Sequence, residues 1–125
     1  MEDNKVEHVY EKYGNIYKEC YTLDSVTKMR QGEYKKYEND RIIVECYYSD
    51  GRLDEEYLEY QYVRNGSDDK YYKVPKVLCL YADGKLEGEY TEYYPNGVKK
   101  LIAHYNGGVL QGDVTKYSED NILVN

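Results

Sequence analysis

Apolar and polar residues alternate along several short stretches of the chain. Ile42, Val44, Cys46 and Tyr48 fall on one side of such a stretch, with Arg41, Ile43, Glu45 and Tyr47 on the other. Val77, Cys79 and Tyr81 repeat the pattern, as do Leu101, Ala103 and Tyr105. A period of two predicts β-strands, since successive side chains of a strand point to opposite faces. Each stretch ends at Asp50-Gly51, Asp83-Gly84 or Gly107-Gly108, then continues through Leu53, Leu86 or Leu110. Asp-Gly and Gly-Gly supply the positive φ that a tight hairpin turn needs. Each unit therefore predicts a β-hairpin, and no long helical period interrupts them. Cys46, Cys79 and Ala103 align as one row of small inner residues.

The strand after each turn carries a second signal. Tyr10-Glu11-Lys12-Tyr13, Tyr34-Lys35-Lys36-Tyr37, Tyr57-Leu58-Glu59-Tyr60, Tyr90-Thr91-Glu92-Tyr93 and Val114-Thr115-Lys116-Tyr117 read as one phrase. The closing tyrosines at 13, 37, 60, 93 and 117 are 24, 23, 33 and 24 residues apart. A period in the low twenties predicts stacked supersecondary units, here one repeat domain over residues 1–125. Rings three apart do not share a strand face, so a bend or bulge is expected there. Gly32, Gly88 and Gly112 stand two residues before the aromatic position, where bare backbone would leave room for a ring; Glu55 breaks that pattern. The long third step marks an insertion at residues 61–76, and the first unit reads as having a shortened leading strand and a longer turn around Thr22 to Arg30. Val6 to Val9 and Ile122 to Val124 are candidate edge strands, open to capping, self-association or strand addition.

Composition refines this picture. The 125 residues include 19 Tyr but no Phe or Trp. Tyr buries a large ring while its hydroxyl needs water or a partner, so a Tyr core suits a thin, single-layer structure. The net charge of -7 argues against nucleic acid and against anionic membrane surfaces, and permits a basic protein partner. Cys20, Cys46 and Cys79 form no disulfide framework or metal motif. Equivalent positions in successive hairpins lie two strands apart, about 9–10 Å, beyond a disulfide's reach. Met1 to His8 is polar, and no run approaches a membrane span, so an intracellular, cytoplasmic protein is expected.

The run Tyr81-Ala82-Asp83-Gly84-Lys85-Leu86-Glu87-Gly88-Glu89-Tyr90-Thr91-Glu92-Tyr93, followed by Tyr94-Pro95-Asn96-Gly97, resembles the MORN-repeat variant. The resemblance covers roughly residues 9–121. It implies an all-β fold: an elongated single-layer antiparallel sheet of stacked hairpins, a MORN-type solenoid with no catalytic residues. MORN-type proteins are generally scaffolds or protein-interaction modules, and some are proposed to touch phospholipid. Bacterial proteins with this variant often carry an antitoxin label, and large DNA viruses also encode such proteins, which would place the chain in a virion or host-cell compartment.

The residues themselves carry little chemistry. His8 and His104 are far apart, the cysteines lack His or Asp company, and no catalytic, cofactor or metal site is expected. Asn65, Asp68 and Asp69 read as a solvated turn, lacking the spacing of a calcium loop. Lys70, Tyr71, Tyr72, Lys73 and Lys76 form the one basic-aromatic cluster, suited to a phosphate, a lipid headgroup or an acidic protein, or else just polar hairpin edges. Glu87, Glu89 and Glu92, with Asp54, Glu55, Glu56 and Glu59, read either as a solvated face or as a docking stripe for a basic partner. The functional expectation is a non-enzymatic scaffold binding another protein through its sheet face, insertion or edge. An antitoxin neutralising a basic toxin and a phospholipid-headgroup module are the alternatives.

Overall fold

The computed structural model describes residues 3–125, so the first two residues of the polar segment Met1 to His8 lie outside it. The described chain is all strand and turn: β1 (Asn4–Lys12), β2 (Asn15–Leu23), β3 (Arg30–Glu38), β4 (Arg41–Ser49), β5 (Arg52–Asn65), β6 (Lys70–Ala82), β7 (Lys85–Leu86), β8 (Gly88–Tyr93), β9 (Lys99–Asn106) and β10 (Val109–Lys116). All belong to one open antiparallel sheet in chain order, with β7 and β8 together filling one strand's place beside β6. The fold is thus a meander of consecutive hairpins in a single layer. No helix among the described residues is long and apolar enough to cross a membrane.

The turns at one end of the sheet stack on each other. Asp50 and Gly51 take φ of 49° and 81°, the paired positive values of a two-residue hairpin turn that matches strand twist. The Gly51 amide then donates to Arg30 O at 2.9 Å, Gly84 to Leu53 O at 2.8 Å and Gly108 to Leu86 O at 2.9 Å. Each hairpin tip is therefore tied to the strand of the preceding hairpin, which propagates the repeat.

The core is one row across the sheet. Tyr34 pairs with Cys46, Cys46 with Tyr57 and Tyr57 with Cys79; Tyr90 pairs with Ala103. Large and small residues alternate, so each ring can lean over a small neighbour. The small members are the most buried apolar residues, with Cys46 4%, Cys79 6% and Ala103 1% exposed. The rings also meet diagonally: Tyr34 with Tyr48, Tyr57 with Tyr81 and Tyr90 with Tyr105 make edge contacts, with centroids 5.7, 5.7 and 6.2 Å apart. The expected inner row is present, and all three cysteines are free thiols.

Two kinds of bulge recur along the sheet. Cys46 and Tyr47 are adjacent on β4, yet their partners Tyr57 and Asp54 leave Glu55 and Glu56 unmatched between them. The same two-residue excess recurs on β3, between β7 and β8, and on β10. Gly32, Gly88 and Gly112 occupy the first bulge position at φ of 87°, 79° and 69°. A Cβ at Gly32 or Gly112 would meet nothing within 4 Å. These glycines therefore serve backbone conformation, not the room for a ring that the sequence pattern implies. The second bulge explains the Tyr-x-x-Tyr spacing. Its extra residues, Ile43, Lys76 and Lys100, sit on the neighbouring strand opposite Lys36-Tyr37, Glu59-Tyr60 and Glu92-Tyr93. The Ile43 bulge also moves Ile42 out of step with Val44: Ile42 pairs with Tyr37 and Val44 with Lys36, so the two are not on one face.

The first unit departs from expectation in one respect. Its long turn is present between β2 and β3, but β2 spans nine residues like β4 and is not shortened. Arg30 stands here at the position of Leu53 and Leu86 in the later units. Its guanidinium lies 4.6, 5.1 and 5.3 Å from the rings of Tyr21, Tyr34 and Tyr48. Val6 to Val9 lies in the outer strand β1. Ile122 to Val124 forms no strand; Val124 N donates to Lys116 O at 2.8 Å, covering one end of β10.

Candidate functional site

The insertion builds a projecting arm. β5 and β6 remain paired from Glu55–Tyr81 out to Asn65–Lys70. The flanking ladders stop earlier, at Val44–Glu59 on one side and Val77–Glu92 on the other. Residues 60–75 therefore have no strand partner except each other. Pro75 fits here, since it lies beyond the β8 ladder and removes no donor from it. At the base, the Gln61 amide donates to Pro75 O at 3.2 Å and to Tyr93 O at 3.4 Å, and the Tyr62 hydroxyl donates to Ile42 O at 2.7 Å. These bonds tie the arm to the sheet on both sides.

Between the arm and the end of β3–β4 lies an open groove of about 840 Å³, lined among others by Lys36, Arg41, Tyr60, Tyr62, Tyr71 and Lys76. Arg41 is one of its three cations, with Lys36 and Lys76. Its guanidinium sits 4.3 Å from the Tyr71 ring centroid and 5.4 Å from that of Tyr62. Both rings come from the arm, and cross-strand pairing puts them on the same face. Burial pushes the Tyr62 hydroxyl above its usual pKa, partly offset by the Arg41 charge.

The structure divides the basic-aromatic cluster. Tyr71 and Lys73 share the face of Tyr62; Lys70 and Tyr72 share the opposite face with Val63. Lys73 lies over the Tyr60 ring at 4.4 Å, and Lys76, the bulged residue, lines the groove. At the arm's tip the acids are already engaged. Asp69 pairs with Arg64, and Asp68 accepts hydrogen bonds from the Tyr72 hydroxyl and the Lys70 amide. Those bonds hold the Asp68 carboxyl below its ordinary pKa, the Tyr72 hydroxyl contributing most.

The acidic candidates are likewise separated. Glu92 accepts the Tyr90 hydroxyl at 2.7 Å on the core face, as Glu59 accepts Tyr57 at 2.7 Å. Glu89 points to the other face, where it accepts from the Thr91 hydroxyl at 3.1 Å. Glu87 is committed to the Gly107 amide at 2.7 Å. A different acidic series emerges from the bulges: Glu33, Glu56, Glu89 and Asp113 each occupy the second bulge position. His104 pairs with Glu89 on this face and is exposed. Burial pushes the Cys46 and Cys79 thiols up to about 11, which disfavours the reactive thiolate.

Lys36, Arg41 and Tyr62 are among the groove residues absent from the clusters that sequence reasoning singles out. The available signal is the ten-residue excess in the period, which announces an arm but not which side chain of the preceding hairpin it covers. Comparison with known proteins finds no family model, no curated protein and no solved structure that matches this chain.

Proposed function

We propose that the chain is a MORN-type repeat scaffold that works by holding another protein. The observation that carries this reading is the arm. Residues 60–75 leave the ladder of the sheet, and with Arg41 they form a groove open to solvent. A hairpin that extends past both neighbours gains no sheet pairing from them, so its length is unexplained by the stability of the repeat. A rigid sheet offering a polar-aromatic groove suits protein recognition, in which Tyr and Arg supply most of the anchoring energy. The test is affinity capture of the full chain from its native source, with mass spectrometry. A stoichiometric protein partner is expected; a monomer that captures none argues against the reading.

A second reading is an antitoxin or immunity-type protein that masks a basic toxin. The bulge acids Glu33, Glu56, Glu89 and Asp113 favour it, because the repeat places one carboxylate at the same bulge position in four of its five units. Expression of the adjacent gene alone tests it: growth arrest relieved by this chain supports the idea, and a harmless product ends it.

A further inference from the structure

We infer that the groove at the base of the arm is a receptor for acidic side chains of a partner's peptide segment, with Arg41 as its anchor. The inference rests on the scaffold reading and names the chemistry of its site. Arg41 is clamped by Tyr71 and Tyr62, and the Tyr62 ring is in turn fixed by its hydroxyl bond to Ile42 O at 2.7 Å. Contact with the two rings uses none of the guanidinium's N–H groups in hydrogen bonds, and among the described residues no side-chain hydrogen bond engages them. Among the described residues no carboxylate lies within ion-pair distance of Arg41. Glu38, its cross-strand neighbour, accepts the Tyr17 hydroxyl at 2.6 Å, and Glu59, which also lines the groove, accepts the Tyr57 hydroxyl at 2.7 Å; Asp40, next to Arg41 in the chain, makes no ion pair with it. An oriented, unpaired guanidinium is suited to a carboxylate, which it grips through two parallel hydrogen bonds.

The other groove residues decide between anions. Lys36 and Lys76 add positive charge, while Glu38 and Glu59 line the same space. Those two carboxylates penalise a phosphate dianion more than a planar monoanion. The volume, about 840 Å³, is ample for several side chains of an extended segment.

The test is titration of the full-length protein with a hexaglutamate peptide at about 20 mM salt, where screening is weak. Saturable binding is expected, and Arg41→Gln should weaken it about tenfold or more. Arg41→Lys, which keeps the charge but not the planar fork, should recover only part of the loss. Lys28→Gln, in the β2–β3 turn, should bind as the parent does. Hexaglutamine should not bind, and inorganic phosphate should not compete. Equal binding by Arg41→Gln, full rescue by Lys, competition by phosphate, or absence of saturation would each overturn the inference. A natural partner that binds the parent and Arg41→Gln equally would also overturn it while leaving the scaffold reading intact.

Discussion

Glu55 stands opposite Tyr81 at φ 64°, in the place where Gly88 stands opposite Tyr105 at φ 79° and Gly32 opposite Tyr48 at φ 87°. One repeat thus forces an L-residue with a long side chain into the left-handed region that the others fill with glycine. That conformation costs a non-glycine residue roughly 1–2 kcal/mol.

Replacing Glu55 by Gly should therefore stabilise the protein. Glycine's greater freedom in the unfolded chain returns roughly 0.5–1 kcal/mol of the gain. A net stabilisation of about 0.5–1 kcal/mol is expected, read as a rise of roughly 2–5 °C in thermal midpoint. A lower midpoint would mean that the Glu55 carboxylate makes a contact worth more than the backbone strain.

Alkaline pH should loosen the sheet. Burial first, then the Glu59 and Glu92 carboxylates that accept their hydroxyls, push Tyr57 and Tyr90 well above the ordinary tyrosine pKa. Burial likewise raises Cys46 and Cys79 to about 11. The fold favours the neutral form of all four groups. Their contribution to stability is complete below the unfolded values, about 8.5 for Cys and 10 for Tyr. It is lost as pH rises through the folded values. The thermal midpoint should be level near neutrality and fall progressively above about pH 9. Tyr57→Phe should show a shallower fall, and a flat profile through this range would contradict the buried row.

The cysteines report the same row independently. Cys46 and Cys79 are buried, whereas Cys20 is half-exposed. A thiol-modifying dye should label Cys20 in the native state and reach Cys46 and Cys79 only after denaturation. Cys20→Ser should abolish the native signal. Rapid native labelling of Cys79 would show that its neighbours on β5 and β8 do not shield it.

The hairpins and their core row are legible in the sequence because their causes are local. Asp50-Gly51 and Asp83-Gly84 set their own turns, and alternation about Cys46 and Cys79 sets the faces. The Tyr57-Leu58-Glu59-Tyr60 spacing announces a bulge. It cannot say that Lys76, on the next strand, is the extra residue, because that depends on cross-strand register. The role of Gly88 reads ambiguously for a related reason: a missing side chain signals space and positive φ alike, and only the backbone separates them. Arg41 is hidden most deeply. Its partners Tyr62 and Tyr71 come from the arm, and the contact exists only once β4, β5 and β6 lie side by side. The spread of Glu87, Glu89 and Glu92 over different partners and faces is hidden for a similar reason, since the Gly88 bulge intervenes in their apparent period.

The central claim is that the arm is built for a partner and not for the sheet. Gln61 pairs with Val74, so residues 62–73 can be replaced by Asn-Gly, which closes that pair with a two-residue turn. The decisive measurement is the calorimetric affinity of the captured partner for this shortened chain and for the parent, with the thermal midpoint of each. The account predicts a loss of about a hundredfold or more in affinity, with the cooperative thermal transition of the sheet retained. Undiminished affinity in the shortened chain would contradict it.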